Sequence, residues 1–273
     1  SCLAYFANFT RIDNRGHISG ITYLAINLGV FPFAIVQGIL SPMSNALIAA
    51  AWRGFGLTAF YLLKAREADI DTKKNSTYLS ILRDKSFFLY LIPWIMFCLV
   101  NRLEAPILSD KFGPDFFRFL VMVEFVVGSV SALIAGVISD LIGRKRVVIV
   151  GFVALGIAYA ALGVAPGIIV TWYFYSMVDG IAWGIFAAMF ILMIWGDLSQ
   201  NTVREKYYLL GILPYLLSDV VYELLNPYVK EVPYYTAFSF ASFFLFLAVL
   251  PLMYAPETLP EKKIELRQLR GYI

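Results

Sequence analysis

Gly136-Val137-Ile138-Ser139-Asp140-Leu141-Ile142-Gly143-Arg144-Lys145-Arg146 closes one long apolar segment and opens the next. Gly136 and Asp140 are spaced i,i+4, so on a helix they share one face near its end. Gly143 suits a tight reversal. Three consecutive cations cannot lie in hydrocarbon, so they fix this loop to one side of a membrane.

The flanking segments explain why a membrane is invoked. The chain is 60% hydrophobic and only 15% charged, with a mean hydropathy of +0.74. A water-soluble domain needs a more polar surface. Eight apolar runs are long enough to cross ~30 Å of hydrocarbon at ~1.5 Å per residue. They lie at 18–40, 44–63, 87–108, 116–139, 146–165, 168–195, 207–229 and 234–254. Pro42, Pro114, Pro166, Pro227 and Pro233 fall between or at the ends of runs, whereas Pro32, Pro93 and Pro214 fall inside them. Transmembrane helices tolerate such interior prolines with a local kink.

Charge distribution supplies an orientation. Arg11 and Arg15, six cations in 64–86, three in the motif loop, two in 204–206 and four in 261–270 put 17 Lys and Arg on one side. The alternate loops hold three, Lys111, Arg118 and Lys230, and Arg53 and Arg102 lie within apolar runs. Such asymmetry fits eight alternating spans with the motif loop and both ends of the chain in the cytoplasm. The expected fold class is an all-α membrane protein, divided into two helices (1–63), a polar linker (64–86), a six-helix bundle (87–255) and a tail (256–273). Nucleic-acid binding is excluded by cations scattered in short clusters between apolar runs. One histidine and the two cysteines, Cys2 and Cys98, give no metal site, cofactor, disulfide framework or integral-membrane enzyme centre.

The loop resembles the signature of the major facilitator superfamily of secondary transporters, G-x-x-x-D-[RK]-x-G-R-[RK]. Gly136, Asp140, Gly143, Arg144 and Lys145 match, and Leu141 stands where the family has a cation. Three further stretches are similar to the same family: Arg11 to Gly16 before a helix, Asp197 with Arg204, Glu205 and Lys206 beyond it, and Pro256-Glu257-Thr258 after the last run. The resemblance implies helices five to twelve of an expected twelve in a plasma-membrane protein. The N-terminal helices of the same protein would then be missing, and residues 1–9 would end a fourth helix. It implies alternating access to a small-molecule substrate, with a proton as a coupling partner. A membrane sensor using the same fold without net transport is the alternative.

The resemblance also gives Asp140 a role. Its carboxylate would meet the positively polarised start of the helix near residues 17–20, held by Arg144, with Asp197 or Glu205 sharing the charge and Arg204 nearby. Charges within the runs need a reason, because the bilayer disfavours them. Arg53, Asp179 and Asp219 lie near the middle of their runs, with Glu223 one turn beyond Asp219. These are substrate- or proton-site candidates, or else groups that pair and hold the bundle. Trp183, four residues from Asp179, joins them, because Trp172, Tyr173, Tyr175 and Trp183 could stack on a ring-bearing substrate such as a sugar. Arg102, Glu104 and Glu124 read as outer ion-pair candidates. Gly180, Gly184 and Ala188 form a small-residue row that suits close helix packing.

Overall fold

The computed structural model describes residues 2–36, 41–62, 76–101, 107–108, 111–199, 203–229 and 232–259. Among these residues the regular elements are helices: α1 (Cys2–Phe9), α2 (Arg15–Val36), α3 (Pro42–Leu62), α4 (Tyr78–Leu82), α5 (Lys85–Val100), α6 (Pro114–Ile142), α7 (Arg144–Val164), α8 (Ile169–Phe186), α9 (Ile194–Leu198), α10 (Arg204–Val229), α11 (Tyr234–Leu247) and α12 (Val249–Tyr254). Five helical stretches are long and apolar enough to cross a membrane: Pro114–Ile142, Arg144–Val164, Ile169–Leu198, Arg204–Leu225 and Tyr234–Tyr254. The chain is a membrane-embedded helical protein. Helices α2 and α3 have 22 and 21 residues, about 33 and 32 Å of rise.

One run differs from the sequence expectation. The run expected over 87–108 ends as a helix at Val100, because Asn101 leaves helical geometry with ψ 128°. Asparagine competes for backbone hydrogen bonds and suits such an exit. The run expected over 234–254 is present as one stretch, Tyr234–Tyr254, with a single turn residue at Ala248 that keeps right-handed helical geometry between α11 and α12. Pro251 has no N–H to return to the Leu247 carbonyl, which loosens the ladder there.

Between α8 and α9 the chain keeps helical continuity through a π-helical segment, Ala187–Met193. This widened turn is wholly apolar and its described side chains are mostly buried.

Close packing follows from small residues. A Cβ on Gly180 would lie 2.9 Å from the Glu124 carbonyl oxygen, and one on Gly184 would lie 2.7 Å from the Ala132 nitrogen. The small-residue row thus lets α8 lie directly on the α6 backbone. On the other side of α6, a Cβ on Gly20 would come within 2.7 Å of both the Ala132 oxygen and the Leu133 Cα. Helix α2 therefore runs along α6 at backbone contact, from Gly16 beside Gly136 to Phe31, whose ring lies 6.1 Å from that of Phe125. Buried aromatic rings pack together in the bundle: Trp94 stacks on Phe190 (4.8 Å), Phe97 meets Phe186 edge-on (4.7 Å) and Phe152 is tilted against Phe186 (4.6 Å). Helix α3 contributes little to this core; its described side chains are mostly exposed.

Candidate functional site

The end of α6 and the start of α7 meet at Gly143, whose φ of 98° and ψ of 153° suit glycine alone. This reversal sets Asp140 and Arg144 side by side, 3.6 Å apart and both buried. Gly143→Ala should therefore lower stability by about 1–3 kcal/mol. Thermal unfolding in detergent would measure the shift.

Asp140 reaches across to α2. Its Oδ1 accepts from the Gly16 N–H at 3.1 Å and its Oδ2 accepts from the His17 N–H at 2.9 Å. These donors lie in the first turn of α2, where the helix dipole is positive, so a carboxylate is favoured there. The contact depends on Gly16 and Gly136. A Cβ at Gly136 would fall 3.0 Å from the Gly16 carbonyl carbon and 3.2 Å from the Gly20 nitrogen. Neither backbone atom can rotate away.

Arg144 then links Asp140 to Asp197. Its Nε lies 2.6 Å from Asp197 Oδ2, and its Nη2 donates to the Ile12 carbonyl at 2.5 Å. The opposite Asp197 oxygen pairs with Arg15, and Thr258 donates to Asp197 at 3.3 Å. Arg15 is tied down further by the Ala7 carbonyl (2.9 Å), the Thr10 carbonyl (3.0 Å) and the Thr10 hydroxyl (2.9 Å). Two arginines and two aspartates thus form a buried cluster with no net charge. Buried ions persist only when paired and hydrogen-bonded in this way.

A second layer secures the cluster. Glu257 accepts the Arg144 N–H at 2.9 Å and the Lys145 N–H at 3.1 Å, capping the start of α7. The Lys145 ammonium donates to the Ala255 carbonyl at 2.9 Å and the Met253 carbonyl at 3.2 Å. Arg204 donates to the Ala7 carbonyl at 2.7 Å and to the Asn8 side chain. Glu257→Gln should loosen the α7 start and cost about 0.5–2 kcal/mol, as loss of a charged cap does. Amide exchange at Arg144 and Lys145 would report it.

The structure thus brings together Gly136, Asp140, Gly143, Arg144, Lys145, Asp197 and Arg204 from the sequence reading. It adds Arg15 and Glu257. The signal for both lay in the sequence, a cation at a helix start and an acid just after the last run, but neither showed that it would face Asp197 or α7.

The membrane-interior candidates separate. Asp179 is buried on α8, and Trp183 is half-buried one turn below it, edge-on to Phe97 (5.1 Å) and Tyr215 (5.9 Å). Glu124 is half-buried on α6. Asp219 and Glu223 are exposed on α10, and Arg53 is exposed on α3. Asp179 is thus buried and the other three exposed, a difference that their positions along the runs do not show. Position along a run gives depth but not the face presented to the bundle. Arg102 and Glu104 lie outside the described residues. An apolar groove of about 370 Å³ between α5 and α10, lined by Leu91, Ile95, Leu213 and Leu217 among others, offers almost no polar groups.

Compared with known proteins, the chain matches no family model and no curated sequence.

Proposed function

We propose that this chain is the larger part of a secondary transporter that moves a small solute by alternating access, on a major-facilitator-type fold. In this reading the eight apolar runs are helices five to twelve, the polar clusters face the cytoplasm of a plasma-membrane protein, and further helices of the same protein precede them. The observation that carries the reading is the Asp140 contact. A carboxylate from the α6 end grips the bare N-terminus of α2, and a neutral arginine–aspartate cluster holds that carboxylate in place.

Such a junction suits a reversible closure. Its polar contacts bind strongly while water is excluded, and each partner can be rehydrated when α2 moves away. Along the rest of α2 the contacts with α6 combine the close approach at Gly20 with the Asn27–Ser129 hydrogen bond and the Phe31–Phe125 ring pair. Asp179, buried one turn from Trp183, is the group that a coupling proton would use.

Net solute flux in proteoliposomes tests the proposal. The polypeptide containing this chain should move solute down and against an imposed gradient, and Asp140→Asn should lower the rate about tenfold or more through loss of a charge-assisted contact. Solute binding without net movement in either direction would contradict transport and leave the sensor reading.

A further inference from the structure

The apolar groove between α5 and α10, about 370 Å³ in volume, has a direction and a length. Its α5 wall runs from Leu91 to Leu99 and its α10 wall from Leu210 to Val221. Both walls begin within two turns of the helix starts at Lys85 and Arg204. Leu82, at the end of α4, extends the lining beyond the start of α5. The α10 wall rises about 16 Å at ~1.5 Å per residue. That is close to half of a hydrocarbon core ~30 Å thick. The groove is therefore one leaflet deep, on the side where α5 and α10 begin.

Its chemistry suits hydrocarbon and not a water-soluble compound. Among the described residues of the lining, Ser218 supplies the one hydroxyl, and it donates to the Tyr215 carbonyl at 2.6 Å. Cys98 adds a free thiol, a weak hydrogen-bonding group. A polar solute lying there would leave its own groups unpaired. Leu82, Leu99, Leu213 and Leu217 are exposed, so the groove opens sideways into the bilayer. An acyl chain in it touches both walls and gains more dispersion contact than on a convex helix face.

The mouth of the groove is cationic. Arg83 and Lys85 follow Leu82 at the turn between α4 and α5, and both are exposed. Asp84 between them accepts from the Ser86 N–H at 2.9 Å and so caps α5. At the start of α10, Lys206 donates to the Ser76 carbonyl at 2.8 Å and lies over the Tyr78 ring, which ties this end of α10 to α4. Segments 83–85 and 204–206 together hold four cations, Arg83, Lys85, Arg204 and Lys206, against two acids, Asp84 and Glu205. Cations at a membrane surface attract anionic lipid. We infer that the α5–α10 groove holds an acyl chain of an anionic phospholipid from the leaflet on that side, with its phosphate against Arg83 and Lys85. The slot matches the tail in depth and polarity, and the rim matches the headgroup in charge. This inference does not depend on transport.

The test is photolabelling of the intact 273-residue chain in nanodiscs. The probes are phosphatidylglycerol and phosphatidylcholine, each carrying a diazirine on the acyl chain, and peptide mass spectrometry locates the label. Phosphatidylglycerol should label residues 91–99 and 210–221 about tenfold more than phosphatidylcholine, the order expected for two surface cations. Arg83→Gln combined with Lys85→Gln should bring the two lipids level, and surface substitutions of this kind leave folding intact. Leu213→Trp should fill the groove and remove the label of both lipids. Leu216→Trp, at an exposed position outside the lining, should leave it unchanged. Equal labelling by the two lipids, or label spread over the exposed faces of other helices as strongly as over the groove, overturns the inference. So does disulfide-linked dimer formation by Leu217→Cys in a Cys2→Ser background with no label in the groove, which would assign it to a second copy of the chain.

Discussion

Asp197→Ala should destabilise the protein by about 3–5 kcal/mol, the largest single-residue effect expected in this chain. Removing Asp197 leaves Arg144 and Arg15 facing each other in a buried space, where both side chains are almost wholly inaccessible. Neither can reach water without pulling α2 or α7 out of place, because Arg15 is fixed to the Ala7 and Thr10 carbonyls and Arg144 to Ile12. Asp197→Asn keeps the shape and one acceptor, and should cost less. Thermal unfolding of both variants measures the difference, with Arg118→Ala, at an exposed ion pair with Asp115, expected to be nearly silent. A midpoint for Asp197→Ala equal to that of the unaltered protein would show that the cluster contributes nothing.

Gly136→Val is the second large effect, and it acts on conformation. The added side chain would occupy space held by the Gly16 carbonyl and the Gly20 nitrogen. Backbone cannot yield as a flexible side chain does, so α2 must separate from α6 by more than a methyl width. The two hydrogen bonds to Asp140 go with it. A cysteine placed at Ser19, fully buried in this contact, should become reactive to a water-soluble maleimide. The increase should be about tenfold or more, corresponding to the ~1–3 kcal/mol cost of overpacking. Equal reactivity in the Gly136→Val background would show that the helices do not depend on this approach.

The sequence made some of this readable and hid the rest for physical reasons. Apolar runs and breakers mark helices because length and hydropathy are properties of one segment. Their partners are not, since an apolar stripe packs equally well against several others. Asp140, Arg144 and Asp197 could be singled out as a group only through the family likeness. The identity of the α2 donors then followed from Gly16 opening a helix. Arg15 read as a topology-setting cation, yet it is buried, because Ala7 of α1 and Thr10 just after it give it three oxygens. Glu257 read as part of a tail motif, yet it is the cap of α7. Asp219 and Asp179 looked alike by depth, and only the rotation of each helix about its axis separates an exposed acid from a buried one. The mid-depth pair Asn27 and Ser129 left no trace in hydropathy, because one polar residue per helix barely alters a run of 20.

The central claim, that the Asp140 junction is a closure able to open, is tested most directly by one distance. Spin labels on cysteines at His17 and Leu141 sit on opposite sides of the junction. Both side chains are exposed, and only the backbone N–H of His17 is used by Asp140. Pulsed electron–electron resonance on the protein in lipid should give a short and a long population, and Asp140→Asn should shift weight to the long one. A single short distance, the same with and without Asp140→Asn, would contradict the account.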